Sequence, residues 1–183
     1  MLYHKVDHDH FRIMLRNLIL FLSGALAGCI LLRFWGLSFA LSPSFYQESL
    51  RSGWSDVFLS VVQFLLLLYL AAYLPHGALF VPLFFGVQGA FLGITVGLVS
   101  GSMGIHGTIS LILAFFFRLI LVFPFGFILG TWAIRRSLRF GTVNKGQGLI
   151  ILILLLTVSV GSAFLELSIA RHFSSMYYLS FGV

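Results

Sequence analysis

Charged residues are scarce in this sequence of 183 residues: they make up 9% of it, and only five residues are acidic. Soluble domains carry about 25% charged residues, so an ordinary soluble enzyme is excluded. Disorder is excluded as well, because disordered chains are poor in apolar and aromatic residues, whereas this one is 60% hydrophobic and 16% aromatic. A chain this apolar is predicted to be an integral membrane protein.

Cysteine and catalytic motifs are also nearly absent. The single cysteine, Cys29, lies in an apolar run, which excludes an intrachain disulfide and fits a small packing residue. There is no H-E-x-x-H zinc motif, and residues 97–101 are one residue too long for a serine elbow. The histidines and aspartates of residues 4–10 lack regular ligand spacing and are interpreted as a solvated extension. The sequence thus predicts no enzyme, no cofactor and no metal site.

Five apolar runs are each long enough to cross a membrane. They cover roughly residues 15–35, 57–74, 78–100, 107–134 and 148–170. The first exceeds the 7–15 apolar residues of a signal peptide, which favours a retained anchor over a cleaved signal. Pro75-His76-Gly77 separates the second run from the third, and a glycine-rich turn at residues 101–107 separates the third from the fourth. We predict an all-α polytopic bundle with five transmembrane helices over residues 15–170.

The basic residues indicate the orientation of this bundle. Seven of eleven fall in two places: Lys5, Arg12 and Arg16, and Arg135, Arg136, Arg139 and Lys145. Five crossings put both places on one side, and the positive-inside rule makes that side cytoplasmic. Residues 1–14 are therefore predicted to be a cytoplasmic tail, and residues 171–183 an extracytoplasmic one. The net charge of +6 then reflects topology and not a nucleic-acid partner.

Glycines recur every four residues in the third run, a pattern typical of a glycine zipper. They are Gly89, Gly93, Gly97 and Gly101, and the fourth run repeats the spacing with Gly126 and Gly130. Such a face lets two helix backbones approach closely where lipid supplies no hydrophobic drive. We expect packing within the chain, although a pore-lining strip or a dimer face would show the same pattern.

Polar residues inside the runs are the candidate site. Counted from Gly107, Arg118 lies about 16 Å into the fourth helix, near the bilayer midplane. Glu166 is the only acid well inside a run and lies near its outer edge. We therefore predict that Glu166 pairs with Arg33, at the outer end of the first helix.

Arg118 would then need other acceptors. Gln63, Gln88 and carbonyl groups near Pro124 are the candidates. The group as a whole is interpreted either as a structural polar network or as a site for a substrate or ion.

Several motifs resemble the stage II sporulation protein M family. They lie at residues 89–97, 103–107, 124–130 and 162–166, with Ala133 and Ser137, so the likeness covers roughly residues 60–170. The sequence departs from the family at Phe117-Arg118, where many relatives have proline followed by a polar residue.

The resemblance implies a non-enzymatic plasma-membrane scaffold that acts in engulfment during sporulation. It would hold a lytic transglycosylase and an amidase/endopeptidase at the septal membrane during cell-wall remodelling. A small-solute or lipid transporter that uses the Arg118 region is the alternative, and an oligomer is compatible with both functions.

Overall fold

The computed structural model describes residues 2–34, 54–138 and 145–181. They form α1 (Leu2–Phe34), α2 (Trp54–Ala71), α3 (Gly77–Phe117), a π-helix (Arg118–Val122), α4 (Phe123–Leu138) and α5 (Lys145–Phe181). The all-α prediction is confirmed for these residues. Most of the predicted loop between the first two runs, Arg139, and the side chains of residues 2–8 lie outside the described part of the chain.

Within the described residues, four stretches are long and apolar enough to cross a membrane: Asp9–Phe34, Gly77–Gly101, Arg118–Leu138 and Gly146–Glu166. The apolar part of α2, Ser55–Ala71, is shorter. The structure thus has the long apolar helices expected of a multi-pass membrane protein. Five crossings and the orientation of the termini stay predictions.

The chain doubles back between the start of α3 and the end of α4. A straight helix from Ala78 to Ser137 would be about 90 Å long, yet the Ala78 amide lies 3.3 Å from the Ser137 hydroxyl. The rings of Phe85 and Phe127 also stack, with centroids 4.6 Å apart. The first half of α3 and α4 are therefore antiparallel. Residues 101–107 are nevertheless helical, so the prediction of a glycine-rich turn there is wrong, although the reversal is present.

The predicted break at Pro75-His76-Gly77 is confirmed, since α2 ends at Ala71 and α3 begins at Gly77. A side chain at Gly77 would collide with the Ala71 carbonyl oxygen, so the turn needs glycine. Ser137 holds the turn from outside: its hydroxyl donates to the Leu74 carbonyl (3.0 Å) and accepts from the Ala78 amide.

The other helices pack around the antiparallel pair. The backbone of α1 meets α3 at Phe21 with Gly89 and at Ala25 with Gly93, and this constant offset makes the two helices parallel. Buried aromatic and aliphatic side chains from α1 to α5 fill the centre, among them Phe21, Leu65, Phe85, Phe127 and Leu155.

The bundle has two distinct ends. At the basic end, the turn between α2 and α3, the end of α4 and the start of α5 come together. A Cβ added at Gly148 there would lie 3.1 Å from the Tyr73 hydroxyl. The parallel course of α1 puts its arginines Arg12 and Arg16 on the same side. The opposite end holds an ion pair and is called the ion-pair end below.

Candidate functional site

The ion pair joins Arg118 of the π-helix to Glu166 of α5. The Arg118 Nε donates to Glu166 Oε2 at 2.8 Å, and the Arg118 Nη2 donates to the Ser60 hydroxyl of α2 at 3.0 Å. Ser60 in turn donates to the Val57 carbonyl at 2.9 Å. The side chains of Arg118 and Glu166 are 22% and 14% exposed. Three segments of the chain are thus tied together by one partly hydrated polar cluster.

Pro124 explains why a π-helix lies at this point. Proline has no amide hydrogen, and in a regular α-helix its ring would clash with the carbonyl four residues earlier, that of Ile120. The wider π-helical turn immediately before Phe123 accommodates that ring. Insertions of this kind are frequent at functional sites, and here the widened turn begins at Arg118 itself.

The predicted pairing of Glu166 with Arg33 is wrong. Arg33 is exposed at the end of α1, and α1 packs against α3 and α4, while α5 packs mainly against α2. Arg118 donates to Glu166 and Ser60, whereas Gln63 is exposed and Gln88 is half-buried.

The prediction was wrong because the depth of Arg118 was counted from Gly107, whereas the depth of Glu166 was taken from the outer edge of its own apolar run. Counted from the basic end, eighteen residues separate Arg118 from Arg136, and eighteen separate Glu166 from Gly148. Both charges therefore lie about 27 Å from that end, close to the far boundary of a hydrocarbon core about 30 Å thick. By this count Arg118 lies at the end of the apolar stretch Arg118–Leu138, and it needs no long reach to meet Glu166.

The glycines of α3 do not share one environment. A Cβ added at Gly89 or Gly93 would collide with the carbonyl oxygens of Phe21 and Ala25 in α1. At Gly97 it would lie 3.2 Å from the Leu32 side chain, and at Gly101 it would meet none of the described residues within 4 Å. Among these four glycines, the close approach of backbones is thus found at the two nearer the basic end.

The reciprocal face of α1 and the glycines of α4 are also tightly packed. Gly24 and Gly28 face the backbone of Gly86 and Ala90. In α4, an added Cβ would lie 2.8 Å from the Phe64 ring at Gly126 and 2.7 Å from the Phe85 ring at Gly130. These two glycines make room for aromatic rings and not for another backbone.

Sequence reasoning missed an aromatic cluster at the basic end. The Arg136 guanidinium stacks over the rings of Tyr73 (4.0 Å) and Trp132 (4.9 Å). Trp132 stacks in turn on Tyr69, whose hydroxyl is 2.7 Å from that of Tyr73 and donates to the Gly148 carbonyl at 3.4 Å. The signal was available, because Tyr69 and Tyr73, and Trp132 and Arg136, are each spaced by four residues and so share a helix face.

Two further polar side chains are buried in the bundle. Neither atom of the Asn17 amide has a hydrogen-bond partner among the described residues, and the same holds for the Ser162 hydroxyl. Both residues are fully buried. An unpartnered buried group costs about 1–3 kcal/mol, so their presence was not predictable from helix packing alone.

Comparisons with known proteins identify no relative for this arrangement: no family model, no curated protein and no solved structure matches the chain.

Proposed function

We propose that this chain is a five-span membrane scaffold that holds cell-wall-degrading enzymes at the plasma membrane, without being an enzyme itself. Its N-terminus is inside and its C-terminus outside. In a sporulating bacterium the membrane would be the septal or engulfing membrane, and the partners a lytic transglycosylase and an amidase/endopeptidase. The resemblance of residues 60–170 to the stage II sporulation protein M family supplies the identity of these partners.

The observation that carries the scaffold reading is the apolar filling of the bundle. Below the ion pair, the Phe64 ring contacts those of Phe84, Phe85 and Phe123 at centroid distances of 5.6, 6.3 and 5.7 Å. Phe127 continues the cluster through Phe85. A transporter needs a polar path from Arg118 through the membrane, whereas a scaffold needs a closed bundle, and these closely packed rings favour a scaffold.

The two ends of the bundle support the orientation. The basic end collects Arg135 and Arg136, and the parallel course of α1 and α3 adds the arginines of α1 to the same side. The positive-inside rule then makes the basic end cytoplasmic. The ion-pair end would face the cell wall.

The last helix supports a docking role on that side. α5 continues to Phe181, fifteen residues beyond Glu166, which corresponds to about 22 Å of helix. Such an extension reaches out of the hydrocarbon and offers a surface to partners outside the membrane.

Recruitment can be tested in cells of the source organism. The tagged full chain and a variant that ends after Ser168 are expressed at equal levels, and co-purifying cell-wall hydrolases are quantified by mass spectrometry. We expect enrichment with the full chain and its loss with the truncated one. Absence of hydrolases from both samples, together with solute uptake into vesicles that contain the purified chain, would favour the transporter.

A further inference from the structure

The aromatic cluster at the basic end holds a cation that has no anionic partner among the described side chains. Nη2 of Arg136 is buried and donates to no acceptor in the part of the chain that the structure describes. Of the acidic side chains that are described, Asp56 and Glu166 belong to the ion-pair end, and Asp9 lies in the exposed first part of α1. Since Arg136 stays charged, an orphaned charged donor of this kind leaves room for an anion that the described residues do not supply.

The surroundings of Arg136 indicate where this anion would come from. Tyr73, which stacks on the guanidinium, is 51% exposed, and its neighbour Leu74 is exposed as well. The cluster is therefore open at the perimeter of the bundle. It also lies at the end of the spans, where tyrosine and tryptophan mark the boundary between hydrocarbon and headgroups. Arg136 as a whole is half-buried, so a ligand that meets its accessible part from this side has its charge at the level of the lipid headgroups.

The geometry of the guanidinium indicates which chemistry fits. Two rings fix its plane, so its nitrogens are held as a preformed fork, which matches the paired oxygens of a phosphate group better than a single point charge would. Arg135 precedes it in α4 and is half-buried, which adds a second positive charge at the same depth. Basic pockets between transmembrane helices on the cytoplasmic side bind anionic lipid headgroups by this combination.

We propose that Arg136, held between Tyr73 and Trp132, binds the phosphate of an anionic phospholipid of the adjacent leaflet. The site is independent of the scaffold function, because it lies at the other end of the bundle from the docking extension of α5. It would anchor the turn between α2 and α3 and the end of α4 to the membrane surface.

Trp132 provides the assay. Of the three tryptophans, Trp35 and Trp54 are replaced by Phe, and this background chain is reconstituted into phosphatidylcholine vesicles. Brominated phosphatidylglycerol or brominated phosphatidylcholine is then titrated in, and quenching of Trp132 fluorescence by each is compared in the same chain. We expect phosphatidylglycerol to be preferred about fivefold, the contribution of one basic residue near an anionic surface. Equal quenching by the two lipids would overturn the proposal.

Two variants in the same background separate a site from general charge attraction. R136Q should lower the preference to about one, and the matched control R33Q, which removes an exposed arginine at the far end of α1, should leave it unchanged. An equal loss in both variants would show that only net charge matters, and the proposal would fail. R136K, which keeps the charge but not the planar fork, should retain less than half of the preference. Full retention would contradict the claim that the planar guanidinium recognises the phosphate.

A final arm distinguishes the lipid from free phosphate and does not depend on any variant. Inorganic phosphate is added to the background chain at constant ionic strength during the phosphatidylglycerol titration. A headgroup site keeps its preference, because the acyl chains hold the lipid at the site. Loss of the preference at millimolar phosphate would assign the site to the free ion and overturn the lipid proposal.

Discussion

Replacing Gly93 by Ala should destabilise the bundle, because the new methyl group would enter the contact between α1 and α3. Its Cβ would lie 2.9 Å from the Ala25 Cα and would collide with the Ala25 carbonyl oxygen. Both obstacles are backbone atoms, so no side chain can move aside, and the helices must separate by about 1 Å to restore normal contact.

The magnitude follows from the cost of overpacking. Forcing an extra methyl group into a packed contact costs about 1–3 kcal/mol, and a chain of this size loses about 2–4 °C in Tm per kcal/mol. We therefore expect Gly93→Ala to lower the Tm of the detergent-solubilised protein by about 2–12 °C. Thermal unfolding followed by circular dichroism measures this change. Size-exclusion chromatography checks that the variant has the elution volume of the native protein.

Gly161 provides a matched control in α5. A Cβ there meets nothing within 4 Å, so Gly161→Ala adds only helix propensity and should raise stability by about 0.5–1 kcal/mol. The same Gly→Ala change should thus lower stability at position 93 and raise it at position 161. A Gly93→Ala variant as stable as the wild type, or more stable, would refute the close contact between α1 and α3.

Three further outcomes follow from the ion pair, the turn and the ends of the bundle. Glu166→Gln should destabilise the protein by about 1–3 kcal/mol, because Arg118 loses its charged partner in a partly buried site, and adding Arg118→Gln should recover part of this loss. Additive effects of the two substitutions in a double-mutant cycle would contradict the pairing, and Arg33→Gln serves as the neutral control. Ser137→Ala should cost about 1–2 kcal/mol, because the Leu74 carbonyl loses its donor, and unchanged thermal stability would show that this bond is dispensable. A reporter that is active only in the cytoplasm should be silent when fused after Val183, and a strong signal would mean that the number of spans has been miscounted.

The helices and their order could be predicted because composition and length decide them. Long apolar runs can satisfy their backbone groups in lipid only as helices, and Pro75-His76-Gly77 breaks a helix for local reasons. Residues 101–107 show the limit of such local reasoning, since glycines that tolerate a turn also tolerate a helix. Glycine spacing likewise predicted a packing face without saying that Gly93 meets α1 while Gly101 contacts none of the described residues.

The polar contacts were less predictable because they depend on which residues of different helices lie at the same level along the bundle axis. The pairing of Arg118 with Glu166 follows only when both are counted from the basic end, and the sequence does not say which end is the common reference. The partner of the Arg118 Nη2, Ser60, is one of many serines with nothing local to mark it. The π-helix accommodates Pro124, but Pro82 lies inside α3 without such a turn, so a proline in an apolar run does not by itself predict one.

Site-specific photo-crosslinking in living cells tests the scaffold function most directly. A photoreactive residue replaces Met176, on the outer extension of α5, or, as a control, Leu79, which is 73% exposed near the basic end. The scaffold function predicts adducts between position 176 and cell-wall hydrolases, and none of these adducts from position 79. Hydrolase adducts from neither position, or equally from both, would contradict it.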